Sequence, residues 1–508
     1  MRNNEQDSRS KGYQAGREAV VSELSQTGDI AMMELRQFYI DGRWETAWSA
    51  AEHILVDAST EERFGLVSLA GDTDVDAAVA AAKAAFPSWS TTDPAVRLAY
   101  VERMRSIHLE RIEDMAQAIS REMGAPIDLA RQAQAGAGPR HMANFSAAMQ
   151  DFDFVRPLGP HAPNDRIALE PVGVAALITP WNWPISQITL KVAAAFLAGC
   201  TVVLKPSEIA PLSAVVFAEI VDAAGLPHGV FNLVHGDGAG AGQRLVTHPD
   251  VDMVSFTGST RAGIAISKAA ADSLKRVALE LGGKGANLIF ADADDMAVER
   301  GVRQCFVNSG QNCNAPSRML VERSIYERSV EMAGKVARSI AVGPSSLPGP
   351  HMGPVVSERQ FGLIQGLIET GVAEGARLAA GGPGRPADFN RGYFVQPTVF
   401  ADVSNDMTIA RQEIFGPVLS VIPFDTEEEA IEIANDTPYG LTNYVQSQDG
   451  ERRNRVARAL RSGMVEMNGQ PRGAGSPFGG MKASGRAREG GRMGIEEFLD
   501  VKSISGWG

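Results

Sequence analysis

Between residues 174 and 290 short apolar runs alternate with longer helix-like stretches, and no other feature constrains the fold as tightly. Val174–Ile178, Thr201–Leu204, Val230–Val234 and Met253–Phe256 are apolar on both faces. Residues 186–198, 210–224, 240–248 and 260–272, which follow them in turn, have helical spacing. A strand with one wet face would alternate apolar and polar residues. Runs apolar on both faces, each followed by a helix, predict a doubly wound parallel sheet covered on both sides. Ala286–Phe290 opens a second αβ region that continues to about residue 485. Ligands in such sheets bind beyond the carboxyl ends of the strands. Thr179–Pro184, Lys205–Glu208 and Thr257–Thr260 occupy those ends.

The flanking segments have a different character. From about residue 72, Val75, Val79, Ala82 and Phe86 recur at helical spacing, with Asp72 or Thr73 as the expected cap, and Arg97 to Met123 continues in helical register. Pro157, Pro160 and Pro163 break helices between Phe152 and Leu169, which reads as an extended excursion. Residues from Ile495 to Ile504 end in a strand candidate. Met1 to Ala31 is polar, without the apolar core of a secretory signal, and reads as a loose extension with Met32 or Met33 as the expected start.

Length and charge limit the possible partners. At 508 residues the chain has material for two or three domains. A net charge of −13 disfavours nucleic acid. Its densest basic stretch, the arginines at 452, 453, 455, 458 and 461, reads as a solvated helix face or else an anion or partner site. No uncharged apolar run reaches the roughly 18 residues of a membrane span. The three cysteines, 200, 305 and 313, form no disulfide framework and indicate a reducing compartment. No Cys-x-x-Cys pair exists and the eight histidines are scattered, so no metal site is expected.

Four segments carry candidate chemistry, each with a plain alternative. Gly258 and Ser259 form a turn at a helix start, where free N–H groups can hold an anion or Ser259 can simply cap. Lys205 and Glu208, in Lys205-Pro206-Ser207-Glu208, can bracket a ribose or be solvated charges. A carboxylate there repels a 2′-phosphate and favours NAD over NADP. Gly236, Gly238, Gly240 and Gly242 miss the usual dinucleotide spacing and read as a turn into a helix. Cys313 follows Gly310-Gln311-Asn312, but only its glycine-flanked setting separates it from Cys200 and Cys305, which read as packing. Glu280 precedes two glycines; it can swing toward a site or be a surface charge.

Together these segments resemble the aldehyde dehydrogenase superfamily. The matching stretches are Pro180–Pro184, Lys205–Glu208, Leu226 to Asn232, Phe256–Thr260, Glu280–Lys284, Gly310-Gln311 with Cys313, Glu413–Pro417, and Pro477–Gly480 with Lys482. Eight segments in family order, spanning about residues 38 to 504, are far more specific than any one of them.

The resemblance implies an NAD(P)-dependent enzyme that oxidises a small-molecule aldehyde to the acid, with NAD preferred and NADP possible. Cys313 matches the nucleophile, Asn182 the oxyanion donor, Glu280 the base, and Lys191 a supporting position. Thr179, Trp181, Lys205, Ser207, Glu208, Gly258, Ser259 and Leu281 match cofactor positions, with Trp181 on the adenosine side. Glu413 and Phe415 match contacts to the nicotinamide ribose and ring. Trp183, Asn314, Asn468 and Phe478 match the substrate side, Asn468 also as a support for Asn182 and Glu280.

The implied domains are a coenzyme domain (33–149 and 171–282), a catalytic domain (283–485) and a β-arm (150–170 and 486–508). The arm would build a homodimer or homotetramer, residues 1–32 would be a flexible extension, and the expected location is cytoplasmic. Arg472, the only charge in the small loop 469–476, is expected to help accept an anionic aldehyde. Ala487 stands where the family commonly has glycine. A CoA-acylating relative would lack Glu280, a cofactor-free hydrolase would leave the ribose segments idle, and a non-catalytic protein would not need Cys313, Glu280 and Asn182 together.

Overall fold

The computed structural model describes residues 32–507; the expectations for Met1 to Ala31 lie outside them. Val174–Ile178, Thr201–Lys205, Phe231–Leu233, Met253–Thr257 and Arg276–Glu280 form five parallel strands. The first four are buried at every residue, as apolar runs covered on two sides must be. Helices Asp72–Ser90, Pro184–Ala198, Leu212–Ala223 and Thr260–Ala271 surround them. Pro184 opens the most buried of these helices and Gly199, at φ 98, closes it.

Two strands extend this sheet that were not read from the sequence. Gln37–Ile40 and Arg43–Thr46 add antiparallel beyond Phe231–Leu233, making seven strands in all. Their turn is Asp41-Gly42 with φ 50 and 74, the Asp-Gly pair that suits a tight hairpin. Arg276–Glu280 is the third omission: it forms the sheet edge beside Met253–Thr257, so Glu280 ends a strand. Two helical details also differ. Gly71 caps Asp72–Ser90, with the Asp74 carboxylate accepting its N–H at 2.9 Å. The run 97–123 is two helices, Pro94–Glu110 and Ile112–Met123, separated where Arg111 turns to pair with Asp114 and Glu219.

A second seven-stranded sheet runs in the order Arg377–Ala380, Thr398–Ala401, Val418–Phe424, Arg318–Glu322, Ala286–Ile289, Thr442–Gln446 and Met464–Met467. All pairs are parallel except the first. The proline-broken segment folds as two strands, Val155–Gly159 and Ala162–Pro171, and the second pairs antiparallel with Leu499–Ser505. A smaller sheet joins Met33–Leu35, Arg63–Ser68 and Glu52–Val56.

The two large sheets meet end to end. Glu280 finishes an edge strand of the first, and six residues later Ala286 begins a central strand of the second. The five intervening residues hold the carboxyl end of that edge strand close to the amino end of Ala286–Ile289.

Candidate active site

Two glycines at that crossing bring distant segments into contact. A Cβ on Gly283 would stand 2.3 Å from the Cys313 carbonyl oxygen, so only glycine lets the thiol loop lie this close. The Gly283 N–H donates to Glu413 Oε1 at 2.9 Å, which ties in the loop before Val418–Phe424. Gly310, at φ 72, completes the lock: a Cβ there would meet the Gly416 carbonyl oxygen at 2.1 Å.

The thiol loop itself is held in an uncommon conformation. Asn308 and Ser309, with φ 55 and 58, precede Gly310, so three successive residues are left-handed. Such backbone persists only where its surroundings over-determine it. Asn308 Nδ2 donates to the Asn182 carbonyl at 2.9 Å, and Ser309 Oγ to the Gly353 carbonyl at 2.8 Å. Gln311 donates through Nε2 to the Asn308 carbonyl at 3.1 Å and accepts from Val356 N–H at 2.9 Å. Asn182 Nδ2 donates to the Gln311 carbonyl at 2.9 Å, leaving its second N–H uncommitted, and Trp183 Nε1 donates to Asn312 Oδ1. Asn182 and Cys313 are thereby fixed side by side.

A cavity of about 520 Å³ opens onto Cys313, with Asn182, Trp183, Asn314 and Phe478 in its wall. Burial first, with the Glu413 and Glu280 carboxylates adding to it, pushes the Cys313 thiol up to about 12. Cys200 and Cys305 are fully buried in hydrophobic clusters, and their thiols donate to the Phe498 and Val418 carbonyls, which leaves them as packing. The Asn314 carbonyl accepts from Tyr444 Oη at 2.5 Å.

Glu280 is buried, and neither carboxylate oxygen has a hydrogen-bond partner. Burial raises its pKa well above the usual carboxylate range and the nearby Glu489 adds to this, while Lys191 and Arg488 oppose it. Lys191 is itself buried, donating to Ser255 Oγ at 3.1 Å and forming an ion pair with Glu489. Sequence reasoning missed Glu489. It lies two residues past Ala487, in a stretch without motif character, and only tertiary packing brings it to Lys191. The histidine and arginine at 141 and 140, which also line the cavity, gave no signal for the same reason. Desolvation lowers His141 to about 4, so it is a neutral hydrogen-bonding partner of Ser186.

The strand ends of the first sheet place the remaining candidates. Ser259 caps Thr260–Ala271, accepting from Ala262 N–H at 3.3 Å, while Thr179 Oγ1 is buried without a partner. Lys205 Nζ donates to the Pro206 and Gly236 carbonyls, and Ser207 Oγ accepts from Ile209 N–H at 3.4 Å. The Leu281 side chain packs into the helix beside Gly263, and its N–H donates to the Ser484 carbonyl.

The structure bears on three expected positions. Trp181 stands edge-on to Phe415 with ring centroids 5.4 Å apart, beside the residue expected at the nicotinamide end. Asn468 does not line the cavity: both ends of its amide bond the Ser447 backbone, because φ 50 turns it into that loop. Arg472 does line the cavity, but its guanidinium pairs with Glu466 at 3.2 Å and lies 4.9 Å over the Phe478 ring, so its charge is already met. The arginine-rich helix Gly450–Ala459 is likewise engaged, Arg452 and Arg455 pairing with Glu427.

Comparison with known proteins identifies the family. The aldehyde dehydrogenase family model matches residues 44–504. A 3-succinoylsemialdehyde-pyridine dehydrogenase of a Pseudomonas species is 49% identical over 94% of this chain and 99% of its own. An aldehyde dehydrogenase of Bartonella henselae is 56% identical, with TM-score 0.93 over 94% of this chain and 100% of that one. A Pseudomonas syringae aldehyde dehydrogenase C variant, solved with NAD+ and octanal, is 47% identical, with TM-score 0.91 over 93% and 97%. The chain belongs to the aldehyde dehydrogenase family. It is an oxidoreductase acting on aldehydes. Among the described residues no helix is long and apolar enough to cross a membrane, and no cluster of metal-binding side chains occurs.

Proposed function

We propose that this enzyme oxidises an aldehyde to its carboxylic acid with NAD, using Cys313 as nucleophile, Asn182 as oxyanion donor and Glu280 as base. The observation that carries the reading is a thiol and an amide with a free N–H meeting on one cavity, with a buried carboxylate without partners close enough behind them for its charge to reach the thiol. The coenzyme side supports it. Thr179 offers an orphaned hydroxyl, Lys205 keeps one uncommitted N–H, and the helix capped by Ser259 presents its amino end. Lys205, Glu208 and Ser259 would hold the adenosine and phosphate portion, and Glu413, Phe415 and Trp181 the nicotinamide end.

Cys313 gives its proton to water, its sulfur adds to the aldehyde carbon, and the carbonyl oxygen takes the negative charge of the adduct. The free Asn182 N–H and the Cys313 backbone N–H meet that charge where it develops. The nicotinamide, when bound, supplies the acceptor for the hydride lost from this adduct. What remains on Cys313 is a thioester. Glu280, whose pKa burial raises above the usual carboxylate range so that it binds a proton more tightly, takes a proton from water as the oxygen attacks the thioester carbon. The acid leaves and the thiolate returns. The Lys191–Glu489 pair beside Glu280 offers the proton an onward partner.

Residues 33–149 with 171–282 serve coenzyme binding in this reading, and 283–485 carry the thiol. The three-stranded arm serves self-association as dimer or tetramer: Val501 is 72% exposed and Val155 and Leu158 are also exposed. Three free thiols suit a reducing compartment such as the cytoplasm. The test is reduced-nicotinamide absorbance over aliphatic, aromatic, betaine-type and semialdehyde substrates, with Cys313→Ala as control. Turnover lost in the variant supports the reading; no turnover with any aldehyde and either coenzyme, from folded protein, overturns it.

A further inference from the structure

The turn after Phe231–Leu233 has no role in the chemistry above, yet it lies against the lysine expected to meet the ribose. Lys205 Nζ, buried in the sheet edge, donates to the carbonyls of Pro206 at 2.9 Å and Gly236 at 2.7 Å. An ammonium has three donors, so one N–H is left for a ligand. Asp237 immediately follows the second of those carbonyls. Its carbonyl accepts from Gly242 N–H at 3.0 Å, and a Cβ on Gly242 would lie 3.2 Å from that oxygen and 3.8 Å from Lys205 Cε. The turn is thus wrapped around the lysine.

Within the turn Gly238–Gly242, the Asp237 carboxylate accepts the Gly240 N–H at 2.6 Å. A glycine turn next to a parallel strand could offer its amides to a phosphate. Here an internal carboxylate has taken that place. Burial lowers the Lys205 pKa, and Glu208 and Asp237 both oppose the drop, which sets both carboxylates within electrostatic reach of the ammonium. One cation with a single donor left faces two anions. A neutral ribose hydroxyl can use the remaining N–H, but a 2′-phosphate would bring up to two more negative charges to a locus already net negative.

We propose that Asp237 is a second coenzyme-selectivity residue, acting with Glu208 to exclude the 2′-phosphate of NADP. This rests on the NAD reading above. The glycine run, which fits no dinucleotide fingerprint, then has a function: it lets the chain fold tightly enough to seat an anion of its own beside Lys205.

The experiment compares NAD+ and NADP+ dissociation constants by calorimetry for the wild type, Asp237→Asn and Asp237→Glu. Asparagine keeps the cap on Gly240 while removing the charge, so the turn survives. The ratio of NADP+ to NAD+ dissociation constants should fall about tenfold in D237N, as removing one like charge at short range predicts. It should stay within about twofold in D237E, and the wild-type ratio should shrink as salt rises. A D237N ratio equal to the wild-type ratio, with NAD+ still bound, overturns the proposal. A wild type that binds neither dinucleotide refutes the coenzyme reading itself, a separate result. Thermal midpoints measured alongside identify a variant that has lost its fold, and Asp237→Ser then repeats the charge removal with another capping side chain.

Discussion

The two large sheets supply the same cleft by opposite means. The first offers the carboxyl ends of its strands, where Thr179 follows one strand, Lys205 ends another and Ser259 caps the helix after a third, all placed by ordinary turn and cap geometry. The second offers amino ends. Cys313 precedes Arg318–Glu322, Glu413 and Gly416 precede Val418–Phe424, and Leu441 precedes Thr442–Gln446. On that side position depends on long-range contacts: left-handed backbone at 308–310, Gly283 against Cys313, Gly310 against Gly416. A binding wall tolerates local geometry because a flexible ligand can adjust. Bond-making does not, since a displacement of about 1 Å costs on the order of 10²-fold in rate.

That contrast makes changes on the thiol side the more damaging. Cys313→Ala should remove turnover to background, read as reduced nicotinamide, with coenzyme affinity kept; residual turnover through another group would break the scheme. Glu280→Gln should lower kcat roughly 10²–10⁴-fold. It should still release one equivalent of reduced nicotinamide in a burst, because only thioester hydrolysis is lost; absence of the burst would place Glu280 earlier in the cycle. Asn182→Ala should cost about 10²–10³ in kcat. Equal loss in KM alone would mean that the amide binds substrate without stabilising the oxyanion.

Gly283→Ala sharpens the comparison most directly. Its methyl would stand 2.3 Å from the Cys313 carbonyl, so the thiol loop must shift. About 10²-fold loss of kcat with coenzyme affinity retained is expected. Against it stands Ser259→Ala, which removes a cap and should cost about 0.5–2 kcal/mol of stability, read as a lower Tm. If the two variants lost activity equally, the distinction between the walls would fail. The pH profile provides a further check. Cys313 and Glu280 both work deprotonated, and both are pushed up by burial. The active fractions therefore grow as pH rises, so kcat/KM should climb from neutral to alkaline pH; a flat profile would contradict it.

The resemblance drawn from eight segments named the family, yet single residues carried little of that signal. Cys313, Cys305 and Cys200 are indistinguishable by local pattern, and burial separates them: two are sealed in cores and one lines the cavity. Glu489 was invisible because an ion pair with Lys191 spans 298 positions of sequence. Arg472 was legible as a lone charge in a small loop, but not as one neutralised by Glu466. Trp181 and Asn468 were legible as positions, and their orientation came from packing against Phe415 and Ser447.

What the sequence determined by itself was the repeated pattern of apolar runs and helices, and hence the parallel sheet with strand ends open for a ligand. Period and polarity are local properties, so they can be read along the chain. The head-to-tail abutment of the two sheets, the left-handed thiol loop and the Asp237 carboxylate folded onto Gly240 were decided only in three dimensions. Each depends on excluded volume and unpaired polar groups between segments far apart in sequence, and those terms take their values only once the chain has folded.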